Sequence, residues 1–146
     1  MKLKVFSDGG SRGNPGPAAI GVVIRFEDDI IKEISNYLGT KTNNQAEYEA
    51  VVAALEWIRK DLPLAIDINI TEDQDTEIDC FLDSQLVVEQ LNGRYKIKNE
   101  GLRPLFDKVR ELIAELGGKV TFKYIPREEN KDADTLVNRA LDEKSK

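Results

Sequence analysis

With 146 residues, 40% of them hydrophobic and 33% charged, the chain has the size and composition of a single domain with an ordinary core, expected over residues 1–146. It has no histidine and one cysteine, Cys80, which excludes an internal disulfide and makes a nitrogen or sulfur metal site hard to build, so any metal must be held by oxygen. A formal net charge of −6 weighs against a nucleic-acid partner, and the lack of a long apolar run argues against a signal peptide or membrane span, leaving the cytoplasm as the expected location.

Leu3 and Val5 alternate with Lys4 and Phe6, and AAIGVVIRF (18–26) and IIKEISNYL (30–38) follow, separated by the acidic turn Glu27–Asp29. This pattern predicts a three-stranded antiparallel meander. From Asn43 the apolar period becomes helical through Tyr48, Val51, Val52, Leu55 and Ile58 as far as Lys60, with Pro63 closing the segment. Residues 64–70 suit a short strand, 71–77 an acidic loop, and 78–83 a compact strand ending on aspartate. A short helix over Ser84–Asn92 stops at Gly93, and a basic loop, Arg94–Asn99, leads to an amphipathic helix over about Arg103–Leu116. The strand VTFKYI (120–125) and a helix from Lys131 to about Leu141 follow. The order β-β-β-α-β-α-α-β-α predicts an α/β fold, a mixed five-stranded sheet with helices on both faces.

Two strands end on a carboxylate, Asp8 and Asp83, at the edge where open α/β sheets bind ligands. Glu47 shares a helix face with Val51, Ala54 and Ile58 and therefore points inward, whereas Glu56 points out. Plainer roles exist for each: Asp8 as a turn residue, Asp83 as a helix N-cap, and Glu47 closing a capping box with Asn44. The glycine-rich VFSDGGSRGNPG (5–16) lacks the Gly-Lys-Ser/Thr ending of a nucleotide-binding loop, and the acids from Asp73 to Asp79 lack the glycine and glutamate of a calcium loop.

Jointly, SDGGSRGNPGP, TNNQAE (42–47), Asp83-Ser84 and IPREENKDADTLVNRAL (125–141) resemble type 1 ribonuclease H, the last segment being similar to an Arg-x-x-Asn-x-x-Ala-Asp pattern of one branch. Asp132 and Asp134 flank the apolar stripe of the last helix symmetrically, so the resemblance alone selects Asp134. It implies catalytic and metal-binding roles for Asp8, Glu47, Asp83 and Asp134, with Asp8 bridging two Mg²⁺ ions, or Mn²⁺ in their place. Two such ions about 3.5–4 Å apart activate a water and stabilise the leaving oxygen of a phosphodiester, and Mg²⁺ takes carboxylate, water and phosphate ligands.

The implied activity is endonucleolytic hydrolysis of the RNA strand of RNA/DNA hybrids, leaving 5′-phosphate and 3′-hydroxyl ends, with double-stranded RNA as a further substrate in related branches. Gly9, Gly10 and Ser11, by exposing backbone, and Asn14, Asn43, Asn44 and Gln45, by their amides, become the expected contacts to phosphates and 2′-hydroxyls. Arg94, Lys96 and Lys98, with Tyr95 for stacking, are expected to track the DNA strand; an ordinary solvated loop is the plain alternative. A monomer is expected.

There are departures. The histidine that many relatives carry before the last helix is missing, and Arg127 and Glu128 stand in that segment. A basic, tryptophan-containing insertion is absent too, and Trp57 is expected in the core. The link at 64–77 is longer than usual. The competing functional class is a non-catalytic hybrid-binding module. Related 3′–5′ exonucleases usually show Asp-x-Glu in the first strand, where this chain has Asp8-Gly9-Gly10.

Overall fold

The computed structural model describes residues 1–66 and 76–145. Strands β1 (Lys2–Ser11), β2 (Gly16–Phe26) and β3 (Asp29–Lys41) lead into helices α1 (Asn43–Lys60) and α2 (Leu62–Ile66). Strand β4 (Glu77–Leu82), helices α3 (Gln85–Leu91) and α4 (Arg103–Glu115), strand β5 (Val120–Tyr124), a 3-10 turn (Arg127–Glu129) and helix α5 (Lys131–Lys144) follow. The expected short strand at 64–70 is corrected over its first residues, which belong to α2. Asp61 caps α1, and Pro63 lies in the first turn of the next helix, where its missing N–H leaves no bond unmade. The rest of that expectation, and residues 71–75 of the expected acidic loop, lie outside the described residues, while Glu77, expected in the loop, begins β4.

The sheet has the order β3-β2-β1-β4-β5, antiparallel from β1 to β3 and parallel from β1 through β4 to β5. Alternation sends Leu3, Val5, Val22, Ile24, Ile78, Cys80 and Leu82 to one face, where α1, α3 and α4 cover them with Tyr48, Leu55, Ile58, Val87, Leu91, Val109 and Leu112. Each such side chain contributes about 1.5–3 kcal/mol through burial. Trp57 is half-buried at the rim of this core rather than within it. On the other face α5 lays Val137, Ala140 and Leu141 against Ala19. No helix of the described residues is long and apolar enough to cross a membrane.

Two details of register position the carboxylates. Because β1 and β4 are parallel with Ser7 opposite Leu82, the next residues, Asp8 and Asp83, emerge side by side. Phe6 and Phe81, directly paired one step earlier, stack with centroids 5.0 Å apart and hold that register.

Backbone approach does the rest. A Cβ on Gly9 would stand 2.2 Å from the Ala46 carbonyl carbon and 2.4 Å from the Glu47 nitrogen, so α1 lies directly on β1 at this residue. A Cβ on Gly21, the ladder partner of Asp8, would stand 2.1 Å from the Ala133 oxygen, so α5 lies equally close to β2 on the opposite face. The room that a missing side chain leaves at Gly9, expected to face nucleic acid, is filled on that side by helix α1.

Gly9→Ala is therefore expected to destabilise the protein by about 1–3 kcal/mol, as overpacking does. Gly10→Ala, whose Cβ meets only a Val137 methyl at 3.4 Å, an ordinary van der Waals contact, is expected to change stability by less than about 0.5 kcal/mol. Urea unfolding of the two variants checks both values.

Candidate active site

The close contact at Gly9 brings the first turn of α1, and with it Glu47, to the tip of β1. Asp8, Glu47 and Asp83 each offer a carboxylate oxygen within 4.8 Å of the others, a spacing that fits a shared metal ion. Asp134, in the first turn of α5, adds its charge to those acting on Asp8, and all four acids line one cavity of about 390 Å³. Asp132, which the apolar stripe could not tell from Asp134, lies outside and faces Arg25 at 3.5 Å. The plainer roles considered for the acids are filled by neighbours. Thr42 and Gln45 form the capping box of α1, and Ser84 caps α3 by accepting from the Val87 N–H at 3.3 Å. Asp8 is a strand residue paired with Gly21.

Asp8 and Glu47 are 8% and 6% exposed, and the ion pairs of the described residues include none of the four acids. Burial, reinforced by the charge of Asp83, pushes the Asp8 carboxyl up to about 7, a rise that a hydrogen bond with Glu47 partly opposes. Burial, then the charges of Asp8 and Asp83, raises Glu47 well above its usual range, although the Gly9 N–H donates to it. Glu47 Oε2 is buried with no hydrogen-bond partner. An unpartnered carboxylate oxygen inside an uncompensated acid cluster is what a divalent cation satisfies, so the donor set fits a hard metal.

Of the expected substrate contacts, Gly9, Gly10, Ser11, Asn43 and Asn44 line the cavity. Asn14 and Gln45 do not. Asn14 Oδ1 accepts from the Asn43 N–H at 3.1 Å, Asn43 Oδ1 accepts from the Ser11 N–H at 2.8 Å, and Gln45 Oε1 accepts from the Thr42 N–H at 2.9 Å. The two asparagines latch the β1–β2 loop to the start of α1, Gln45 closes the helix's own capping box, and the Ser11 hydroxyl donates to the Gly13 carbonyl.

Arg94, Lys96 and Lys98 lie together with Tyr95 and Leu86 around a second cavity of about 510 Å³, which shares Asn44 with the first. Arg94 pairs with Glu89 at 2.9 Å. Arg127 lines the carboxylate cavity, as does Arg12, which pairs with Asp142. Arg127, one of the two residues standing where relatives carry histidine, is thus at the site and Glu128 is not, whereas Arg12 carries no sequence signal, since no periodic pattern marks a loop residue. A larger groove of about 900 Å³ between β3 and α1 is lined by Glu33, Glu49, Glu56 and Asp61, but among the described residues no three of its acids come close enough together to share a metal ion.

A family model described as reverse transcriptase-like matches residues 6–140. LC11-RNase H1, isolated from compost by a metagenomic approach, has a solved structure 43% identical to this chain, with a TM-score of 0.87 over 99% of both chains. The same enzyme in complex with RNA/DNA hybrid gives 41% identity and the same TM-score and coverage. RNase H1 of the archaeon Halobacterium salinarum is 38% identical, with a TM-score of 0.82 over 98% of this chain and 99% of that one. The chain belongs to the type 1 ribonuclease H family. It spans 36% of the length of a bifunctional Mycobacterium tuberculosis relative and 65% of the curated haloarchaeal sequence.

The raised Asp8 and Glu47 have a definite sign. Between about pH 4 and 7 the metal-free native state holds more protons than the unfolded chain, so this stability is greatest at low pH and is lost as pH rises through about 7. Asp8→Asn is expected to raise the Tm of the chelator-treated protein by about 3–8 °C at pH 8 and far less at pH 5. Thermal scans in EDTA at the two pH values measure this.

Proposed function

We propose that this chain, as one ribonuclease H-like domain over residues 1–146, is a metal-dependent endonuclease that hydrolyses the RNA strand of RNA/DNA hybrids, leaving 5′-phosphate and 3′-hydroxyl ends. The observation that carries the reading is the buried group Asp8, Glu47 and Asp83, with an unpartnered Glu47 oxygen and Asp134 beside Asp8. The hybrid complex of the similar LC11 enzyme supports it. Asp8, Glu47, Asp83 and Asp134 would hold two Mg²⁺ ions, or Mn²⁺, which when bound supply an activated water and charge stabilisation at the leaving oxygen.

The chain's own residues do the remaining work. The close approach of α1 at Gly9 holds Glu47 at the tip of β1, and the β1–β4 register sets Asp8 beside Asp83. Gly9, Gly10 and Ser11 on one wall, with the Asn43 and Asn44 amides, face the RNA backbone and its 2′-hydroxyls. Arg127 contributes positive charge to the same cavity, where the family more often has histidine. Lys96 and Lys98, which line the adjoining cavity with Tyr95, receive the phosphates of the DNA strand. A local basic track of this kind lets a chain of net charge −6 engage nucleic acid. Double-stranded RNA is a second substrate, and the protein acts as a cytoplasmic monomer.

Labelled RNA/DNA hybrid, double-stranded RNA and double-stranded DNA, each incubated in Mg²⁺ and in Mn²⁺, test the reading. Hybrid is expected to be cut, DNA to stay intact, and Asp83→Asn to lower kcat by at least about 100-fold. Hybrid that binds but stays whole under both metals would instead establish a non-catalytic binding module. In the same assay, the triple reversal Arg94→Glu, Lys96→Glu and Lys98→Glu is expected to weaken hybrid affinity and to flatten its salt dependence by about one to three phosphate contacts. An unchanged salt slope means that the loop is ordinary solvated surface.

A further inference from the structure

Asn130 stands midway in the segment that joins Arg127 to Asp134, and neither the carboxylate chemistry nor the nucleic-acid path uses it. It is 1% exposed. Its place immediately before α5 is one where asparagine normally accepts a hydrogen bond from the helix's first turn, yet its side chain makes no capping bond. The amide has been diverted. Nδ2 donates to the Ser7 carbonyl at 2.9 Å and to Asp83 Oδ2 at 2.9 Å, while the backbone carbonyl accepts from the Asp134 N–H at 3.2 Å. One residue thus touches the peptide just before Asp8, the carboxylate of Asp83 and the helical turn that carries Asp134.

We propose that Asn130 is the positioning residue of the carboxylate cluster, fixing the plane of Asp83 and tying β1, β4 and α5 together at the metal site. The inference rests on the nuclease reading above and adds a residue to it. Asp83 follows the last residue of β4 and is only half-buried, so its carboxylate torsion, which is intrinsically broad, needs an external partner. Asn130 supplies one with the right chemistry.

Both its acceptors are oxygens, which settles the amide orientation, and the remaining Oδ1 is buried with no partner, so the side chain accepts an unsatisfied atom to make these two bonds. A neutral NH₂ donates twice without adding charge. A lysine or arginine here would neutralise the cluster and compete with a cation, and an aspartate would add another negative group with no donor. The Ser7 bond matters as much as the Asp83 bond, because it references the Asp83 carboxylate to the strand that carries Asp8. Partners outside the ligand shell that hold ligating carboxylates typically change metal affinity or activity by 10–100-fold when removed.

The test measures Mn²⁺ affinity by calorimetry and hybrid cleavage by steady-state kinetics for wild type, Asn130→Ala and a stability control, Leu112→Ala, remote from the site. Asn130→Ala is expected to weaken Mn²⁺ binding and lower kcat by about 10–100-fold each while KM for hybrid stays within about twofold. Leu112→Ala should lower the Tm with metal affinity unchanged, separating loss of position from loss of stability. If Asn130→Ala does not fold, the near-isosteric and uncharged Asn130→Leu, which also lacks the donor, carries the test with the same expectation. Metal affinity and kcat within twofold of wild type, in whichever variant folds, overturn the positioning role. Wild type that binds Mn²⁺ but leaves hybrid whole overturns the nuclease reading alone, provided Asn130→Ala still weakens the metal. Wild type that binds no Mn²⁺ overturns both.

Discussion

Two glycines flank Asp8, Gly9 along its own strand and Gly21 across the ladder, and at each a helix backbone comes into contact with the sheet from an opposite face. An alanine at either position would put its Cβ within 2.4 Å of helix backbone atoms, closer than real atoms approach. This double approach delivers Glu47 from α1 and Asp134 from α5 to the tip of β1, while the parallel pairing of β1 with β4 delivers Asp83. The candidate metal site is therefore a consequence of how closely the layers pack. Shifting either helix outward by the room a methyl group needs would separate carboxylates that now share a few ångströms.

Such convergence has an electrostatic cost. Acids that are buried together raise one another's proton affinity, and Asp8 at about 7 lies far from an ordinary aspartate. A hydrophobic core beneath the sheet, from Leu3 and Val5 through Tyr48, Leu55 and Ile58 to Val109 and Leu112, carries the stability that tolerates this strain. Functional clusters of like charge are commonly maintained in this way, by structure that over-determines them. A cation binding there displaces protons and relieves the repulsion, which couples metal affinity to pH.

Periodicity exposed most of the architecture because most elements bury one face. The alternation of β1 and β2, the helical stripe of α1 and the apolar face of α5 follow from partition between core and water, and they make the strands of the sheet, four of the five α-helices and the inward direction of Glu47 legible; the five-residue α2 is too short to carry such a stripe. Asp8 and Asp83 could be read as ligands because each ends a strand. Asp134 could not be separated from Asp132 by its angle on the helix; the resemblance to a known family made that choice, and the structure places Asp134 in the cavity and Asp132 against Arg25.

What stayed hidden is chemistry without a period. The sequence reading gave the Gly9 clearance to substrate, because a missing side chain reports that something comes close and not what it is. Thr42 and Ser84 perform the capping considered for Asn44 and Asp83, a shift of one or two residues that depends on local backbone geometry. Asn14 and Gln45 hold α1 and its loop together, and Asn130 gives up a cap to reach two strands. Each choice is decided by contacts between residues remote in the chain.

The most direct test of this account is a crystal of the wild-type protein grown in Mn²⁺ and measured at a wavelength where manganese scatters anomalously. The predicted result is an anomalous peak about 2.0–2.5 Å from carboxylate oxygens of Asp8 and at least one of Glu47 and Asp83. A protein saturated with Mn²⁺ whose only peaks lie elsewhere on the surface would contradict it.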